Sequence, residues 1–477
     1  MTTLRTSGIE TLRNRRVGVW GTGREGRALV RLALERGADV LVVQDPPAPE
    51  ERAPDKRAPG ERAPAELEVH EPGALYGARL DVMVVSPGVS KYRPELERLR
   101  SQGVVVTTAT ALWLEDFAGH AVIGITGSKG KTMTASLTAL AMRSTGADVG
   151  IGGNMGTPVT DFYEGPERDA YVVEVSSFQA AYVTSSPRVG VLTLVAPDHL
   201  DWHGNYERYV SDKLNLFTHR GDLELAVNAR SPEAVAFTSD EPFSSRVGGR
   251  HLYGADGAVR VGGNGIEVDG EEVPPLASLA AVAGSPLRGR HNLDNLCGAI
   301  TATRLLTGDW PDFATLSESV SKMPSLPSRL ATIAMEGGVE FVDDTLASNP
   351  AGTIAALEAF EGSHISLIAG GHDRGASLDA LARVLASADG TTLVSLGGAG
   401  ERLSDELGSM RSTVRCVKAG SMRDAVRLAA TALGEDGGVV LLSPAAPTPA
   451  SEGTYEARSA AFRSAVEHYL SDSGAAC

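Results

Sequence analysis

The sequence predicts an α/β protein of three domains: a Rossmann-like N-terminal domain, a central phosphate-loop domain and a second Rossmann-like domain at the C-terminus. Three observations predict it. The 477 residues exceed what one hydrophobic core supports and suit about three domains. Three separate stretches alternate short apolar runs with helical periodicity, the pattern of mostly parallel sheets. The first two stretches each open with an apolar run that enters a glycine-rich turn and then a helix.

The first stretch begins with a strand at Arg16 to Trp20, which runs into Gly21-Thr-Gly23-Arg24-Glu25-Gly26. A helix follows through Arg36, and a second strand, Val40 to Val43, leads to Asp45. This is G-x-G-x-x-G in a strand–turn–helix context with an acidic residue about 20 positions on, a Rossmann fingerprint. A nicotinamide dinucleotide, another phosphate-bearing ligand and a purely structural turn all fit it, because folds host many functions. Residues 46–64 are rich in Pro, Ala, Glu and Arg and read as a surface loop with too little apolar content for a core. A strand at Asp81 to Val85 delivers Ser86-Pro87-Gly88, a further strand at Val104 to Thr107 follows, and a helix around Ala111 to Phe117 closes the first domain, residues 1–117.

The second domain, residues 118–326, opens with Val122-Ile-Gly-Ile-Thr-Gly127-Ser128-Lys129-Gly130-Lys131-Thr132. Gly127 and Gly130 free backbone N–H groups to face an anion, and the helix from about Thr132 presents its positive end. Lys131 neutralises phosphate and the Thr132 hydroxyl is suited to Mg²⁺, so residues 127–132 form the candidate ATP-binding loop. The spacing departs from G-x-x-x-x-G-K-[ST], which requires glycine where Ile125 stands. Candidate strands follow at Tyr171 to Glu174 and Val189 to Val195. Glu174 ends a strand beside the loop, where a carboxylate is either an Mg²⁺ ligand or a solvated strand-end acid. His199 and His203, in Asp198-His-Leu-Asp-Trp-His203, have the i, i+4 spacing of a zinc pair but no third ligand, so a single His199 on magnesium or phosphate, or a surface histidine, is preferred. By pattern alone Lys213 is a solvated residue on an amphipathic helix. Residues 254–270 read as a hairpin excursion, and Pro324 and Pro327 mark the boundary with the third domain, residues 327–477, whose strands are expected at Glu340 to Asp343, Ser366 to Ala369, Thr392 to Ser395 and Gly438 to Leu442.

A hydrophobic content of 42% and a charged content of 22% are ordinary for a globular protein. The formal net charge of −16 argues against general nucleic-acid or anionic-membrane binding, so any polyanionic ligand needs a local site. Cys297, Cys416 and Cys477 are widely spaced, which suits a reducing compartment. No signal-like N-terminus and no long apolar run is present, and the expected location is cytoplasmic.

Taken together, several motifs resemble the Mur ligase family, in its order and over nearly the whole chain, and within it the branch that adds glutamate to a muramoyl-alanine. They are Gly21-x-Gly-x-x-Gly26, Ser86-Pro-Gly88, Thr126 to Thr132, Gly153-Asn154, Glu174-Val-Ser-Ser-Phe-Gln179, Asp198-His199, Lys213, His291-Asn-Leu-Asp-Asn295, Leu326-Pro-Ser-Arg329, Asp343-Asp344 and Gly370-Gly-His-Asp-Arg374. The resemblance implies an ATP- and Mg²⁺-dependent amide ligase in which a carboxylate is phosphorylated and then attacked by an amine. It implies that Lys131 and Thr132 hold phosphates, that Glu174 and His199 ligate Mg²⁺, and that Lys213 is carbamylated to place a second Mg²⁺. Asn292, Asn295, Arg329 and Asp344 match ATP-contacting positions. Gly23, Arg24, Glu25, Gly26, Asp45, Ser86, Pro87, Gly88 and Asn154 match the UDP-substrate side, which accounts for a Rossmann fingerprint without NAD. Arg374, Thr448 and Tyr455 match the glutamate pocket. The implied partners are UDP-N-acetylmuramoyl-L-alanine and glutamate, with the protein acting as a monomer.

The departures from the family pattern fall on that pocket. Asp344-Thr345-Leu346 lacks the lysine usual in members that use D-glutamate, Arg374 stands where lysine is usual, and Ser328 replaces histidine in Leu-Pro-His-Arg. A branch of the family that this chain resembles, with Gly-Gly-His-Asp-Arg-Gly and no lysine after Asp-[Ser/Thr], adds L-glutamate and relies on a separate epimerase, so L-glutamate is the expected substrate and D-glutamate the alternative. A folylpolyglutamate synthetase is disfavoured by the first 117 residues. A non-catalytic muramoyl-peptide sensor is disfavoured by retention of Lys131, Glu174, His199 and Lys213.

Overall fold

The computed structural model describes residues 8–46, 68–262, 265–277, 285, 287–388, 390–410 and 412–474. The Pro-rich loop expected at 46–64 lies outside them apart from Pro46, as does Cys477; Cys297 is buried and Cys416 exposed, both as free thiols. The chain forms two compact units, residues 1–276 with 294–317 and residues 277–293 with 318–477.

The first unit holds two sheets. One contains β1 (Arg16–Trp20), β2 (Asp39–Val43), β3 (Val69–His70), β4 (Val82–Val85) and β5 (Val105–Thr107), all parallel in the order β3-β2-β1-β4-β5. The helix Arg24–Glu35 turns Ala28, Leu29, Leu32 and Ala33 to the core, the i, i+1, i+4 spacing of one apolar face. The topology switches direction on either side of β1, and the glycine turn leaves that strand's C-terminal end, where such sheets receive ligands.

The other sheet contains β6 (Val122–Thr126), β7 (Val149–Gly153), β8 (Ala170–Glu174), β9 (Val189–Leu192), β10 (Glu224–Asn228), β11 (Gly249–Gly254), β12 (Val259–Val261), β13 (Ile266–Val268) and β14 (Glu271–Glu272). Its order is β14-β13-β12-β11-β10-β9-β6-β8-β7, with antiparallel pairing confined to β12, β13 and β14, the expected hairpin excursion. All residues of β6 and β8 are buried, as their continuous apolar runs require of strands covered on both faces. Strand β9 stops at Leu192, short of the expected Val195, because Thr193 and the Leu194 carbonyl turn to hold the glycine loop: Leu194 accepts the Ser128 N–H at 2.6 Å and the Thr193 hydroxyl donates to the Lys129 carbonyl at 2.7 Å.

The second unit carries β15 (Ala331–Glu336), β16 (Val339–Asp343), β17 (Ile365–Ala369), β18 (Thr392–Ser395), β19 (Arg415–Lys418) and β20 (Gly438–Leu442), ordered β15-β16-β20-β17-β18-β19. Among the described residues only the β15 edge of this sheet is antiparallel. Apolar clusters lie around Leu367 and Leu441, and around Ile368 and Leu442, so alternate residues of neighbouring strands feed different cores.

Candidate functional site

Strand β6 pairs with β8 on one side and β9 on the other, with Ile125 opposite Glu174 and Thr126 opposite Leu192. Their C-terminal ends therefore arrive together, and β7 adds Asn154 beside them through Gly153, which is opposite Glu174. The loop between β6 and the helix Lys131–Ser144 occupies this edge. Gly127 and Gly130 have φ of 155° and 90°, and a Cβ would meet Thr193 Oγ1 at 1.8 Å and Asn295 Oδ1 at 2.5 Å respectively, so both glycines are dictated by conformation and by contact.

Polar side chains converge on the loop. The buried Glu174 accepts from the Thr132 hydroxyl at 2.8 Å through one oxygen and from the Asn154 amide at 2.8 Å through the other. It is therefore not the solvated strand-end acid that pattern alone allowed. Lys131 folds back to donate to the carbonyls of Gly127 at 3.0 Å and Ser128 at 3.2 Å. Lys213, read from its helical pattern as solvated, is 1% exposed; its ammonium donates to the Gly127 carbonyl at 2.8 Å and lies 4.7 Å from the Tyr209 ring centroid. Burial, reinforced by the neighbouring Lys131 charge, holds its pKa well below the ordinary lysine value, against the pull of Asp198 and Glu174.

His199 adopts φ 50° at the start of the short helix Leu200–His203, with its ring against Phe178 and Nε2 3.8 Å from Asp198. Burial depresses its pKa; Asp198 opposes this and Lys131, Lys213 and Lys129 reinforce it. A neutral imidazole is the form that can ligate a metal. The zinc-pair reading fails, because His203 is wholly buried with both ring nitrogens committed, Nδ1 to Asp212 at 2.7 Å and Nε2 to the Ser177 hydroxyl at 3.0 Å. Tyr92 also donates to Asp212, at 2.8 Å, joining the first sheet's loop to the Lys213 helix.

Ser128 and Lys129 hold the loop in shape: the Ser128 hydroxyl contacts the Ala196 carbonyl at 2.8 Å and the Tyr209 hydroxyl, and Lys129 lies 3.9 Å from Asp198. Asn295 is buried against Gly130 and accepts from Thr134 at 3.2 Å. Tyr209 was not singled out by the sequence, although its place four residues before Lys213 put both on one helix face.

On the first sheet, a Cβ at Gly21 would lie 2.3 Å from the Ser86 hydroxyl and one at Gly26 would lie 2.0 Å from the Gly21 carbonyl, whereas Gly23 faces open space. Arg24 donates to the Gly156 carbonyl, tying this turn to the loop that carries Asn154. Glu25 accepts from Thr110 at 3.3 Å, and burial raises its pKa to about 7, with Thr110 and Gln179 opposing. Asp45 accepts from Trp20 Nε1 at 3.1 Å and pairs with Arg93 at 2.9 Å. Ser86 donates its N–H to the Trp20 carbonyl, and Pro87 and Gly88 continue the same strand-end turn.

In the second unit, Asn292 donates to the Arg288 carbonyl at 2.8 Å. Asp344 follows β16 and is buried, accepting from Ser443 at 2.8 Å and from the Leu330 N–H at 3.3 Å. Burial raises its pKa to about 7, against the hydrogen bonds from Ser443 and Leu330 and the Arg329 charge. Ser328, beside Arg329, takes φ 58° and donates to Asp343 at 3.2 Å. Arg374 is exposed on the loop after β17, Thr448 is half-buried after β20, and Tyr455 opens the last helix, Tyr455–Gly474.

The Thr132 hydroxyl and Glu174 carboxylate are hard oxygen donors, which fits Mg²⁺, a cation that takes one or two carboxylates and completes its shell with phosphate and water oxygens. Among the described residues no three His, Cys, Asp or Glu side chains form a ready-made cluster. No described helix is long and apolar enough to cross a membrane.

Comparison with known proteins gives a consistent result. Residues 125–303 match the Mur ligase middle domain and residues 328–446 the Mur ligase glutamate ligase domain. The chain is 38% identical to a UDP-N-acetylmuramoyl-L-alanine--L-glutamate ligase of Salinispora tropica, over 96% of this chain and 98% of that protein. It is 33% identical to a protein of the same name from Xanthomonas axonopodis pv. citri, over 95% of each. Its fold is similar to the crystal structure of a MurF ligase from Thermotoga maritima in complex with ADP, with TM-score 0.57 and 16% identity, covering 98% of this chain and 100% of that one.

Proposed function

Because the chain belongs to the Mur ligase family, we propose that it is an ATP-dependent amide ligase that joins L-glutamate to UDP-N-acetylmuramoyl-L-alanine. The observation that carries this reading is the convergence of Lys131, Thr132, Glu174 and Lys213 on the loop at Gly127, with His199 beside Asp198, which lies 3.9 Å from Lys129 of that loop. The names of the relatives support glutamate, and specifically its L form, as the incoming amino acid.

In this reading the γ-phosphoryl group of ATP passes to the alanine carboxylate, giving an acyl phosphate and ADP. The glutamate amine then attacks the acyl carbon, phosphate leaves, and the amine gives up its proton. A polyphosphate and a carboxylate repel each other, so the site must place cations between them. Lys131 exchanges its loop carbonyls for phosphate oxygens. Thr132, Glu174 and His199 would hold Mg²⁺, which supplies charge neutralisation. Lys213, whose low pKa favours the neutral amine, is suited to add CO₂ with loss of a proton, giving a carbamate that adds a further oxygen donor. Asn154 orients Glu174 and lies next to the UDP-side turn through Arg24 and Gly156. Asn292, Asn295, Arg329 and Asp344 complete the ATP contacts in this reading, and Arg374, Thr448 and Tyr455 receive glutamate. The protein works as a monomer in the cytoplasm, and an epimerase acting on the product is the partner that L-glutamate addition calls for.

Incubation with ATP, Mg²⁺ and UDP-N-acetylmuramoyl-L-alanine, with L- or D-glutamate supplied separately, tests this by ADP release and product mass. Turnover with the L form alone is expected. Turnover with the D form alone would overturn the stereochemical assignment, and none with either would overturn the activity.

A further inference from the structure

Arg458 presents a contradiction between its chemistry and its surroundings. It lies on the last helix, three residues after Tyr455 and therefore on the same face. Its side chain is 0% exposed, yet Nε, Nη1 and Nη2 all lack a hydrogen-bond partner. An arginine has five N–H donors in a planar fork suited to a carboxylate, and burying it unsatisfied is costly. The nearby carboxylate is Glu452, with Oε2 3.3 Å from Nε, an ion pair without hydrogen-bond geometry. Glu452 sits on the three-residue turn Ala450–Glu452 and is itself 37% exposed. A short, exposed turn can release it.

The surrounding backbone is shaped around this guanidinium. Gly371 has φ 155°, and a Cβ there would come 2.4 Å from the Pro447 carbonyl and 3.0 Å from Arg458 Nη1. His372 donates its N–H to the same Pro447 carbonyl at 2.8 Å, so the Gly370-Gly371-His372 turn and the segment after β20 are locked together next to Arg458. These are the two segments that carry Arg374, Thr448 and Tyr455. The segments assigned to glutamate in the reading above thus carry a second arginine, buried where Arg374 is exposed.

We propose that Arg458 receives a carboxylate of the incoming glutamate and that Glu452 is an internal carboxylate holding that position until the substrate displaces it. The inference rests on the glutamate-ligase reading above. A substrate carboxylate entering in fork-to-fork geometry makes the hydrogen bonds that Glu452 does not, which gives it the advantage in the exchange. Burial lowers the Arg458 pKa while Glu452 raises it, in keeping with a cation whose present partner compensates it incompletely.

The test is steady-state ligation by the full chain at saturating MgATP and UDP-N-acetylmuramoyl-L-alanine, with L-glutamate varied, for wild type, Glu452→Gln, Arg458→Lys and Arg458→Met. Glu452→Gln should lower KM for glutamate about threefold or more by removing the competitor, whereas Arg458→Met should raise it about tenfold or more, with Arg458→Lys between wild type and Met. KM for MgATP should remain at the wild-type value throughout. A merely structural ion pair predicts instead that both partners' variants lower the melting temperature with glutamate KM unmoved, which overturns the proposal. If the arginine variants do not fold, Glu452→Gln decides alone, and an unchanged KM refutes the exchange. Failure of the wild type to use either glutamate refutes the ligase reading and this role with it, whereas wild-type turnover with unmoved KM values refutes only the role of Arg458 and Glu452.

Discussion

Lys131 and Lys213 donate to the same acceptor, the Gly127 carbonyl, at 3.0 and 2.8 Å. Two ammonium groups on one oxygen repel each other, and burial adds to the cost for Lys213. The arrangement disfavours the charged form of Lys213.

Ligation by protein equilibrated in CO₂-depleted buffer should fall and should recover on adding bicarbonate, while Lys213→Ala should lose at least ~10²-fold in kcat, the scale of losing a preorganised electrostatic group. Activity indifferent to bicarbonate would exclude carbamylation.

Lys131→Ala should lose at least ~10²-fold in ligation with a smaller effect on melting temperature, because the loop carbonyls of Gly127 and Ser128 to which it donates can be served by water. ADP release combined with a thermal melt checks both halves, and retained ligation would refute the phosphate role.

Gly130→Ala places a methyl group 2.5 Å from Asn295 Oδ1 at φ 90°. It should destabilise the protein by about 1–3 kcal/mol and weaken nucleotide binding, since the loop and the Asn295 helix must part. Chemical denaturation and calorimetric titration with ATP measure the two effects.

Glu25 gives a pH prediction. Its folded pKa of about 7 exceeds the ordinary 4.5, so the native state binds the extra proton between these values and stability falls as pH rises from about 4.5 to 7. Glu25→Gln removes that dependence. The variant should match wild type near pH 4 and be more stable above pH 7, by at most on the order of 3 kcal/mol. Equal pH profiles from denaturant melts would show that Glu25 is solvated and ionised.

By itself the sequence determined the motifs and those elements whose apolar runs stand out, while edge strands such as β3, β15 and β19 emerged only in the structure. β1, β18 and β20 occur where their apolar runs stand, and Lys131, Thr132 and Glu174 were identifiable because each is tied to a strand end or glycine turn by local chemistry. Tertiary structure alone decided the side chains whose environment comes from distant segments. Lys213 looked solvated because a helical pattern shows only its own helix, whereas its burial comes from the Gly127 loop 86 residues away. His203 has the spacing of a partner for His199, a reading disfavoured by the lack of a third ligand, and the tertiary structure closes it by committing both its nitrogens to Asp212 and Ser177. Arg458 carried no signal, since nothing local distinguishes a buried guanidinium from the solvated arginines of an ordinary helix. The physical reason is common to all three: spacing along the chain fixes backbone direction, but the solvation and partners of a charge are set by whichever segments the sheets bring against it.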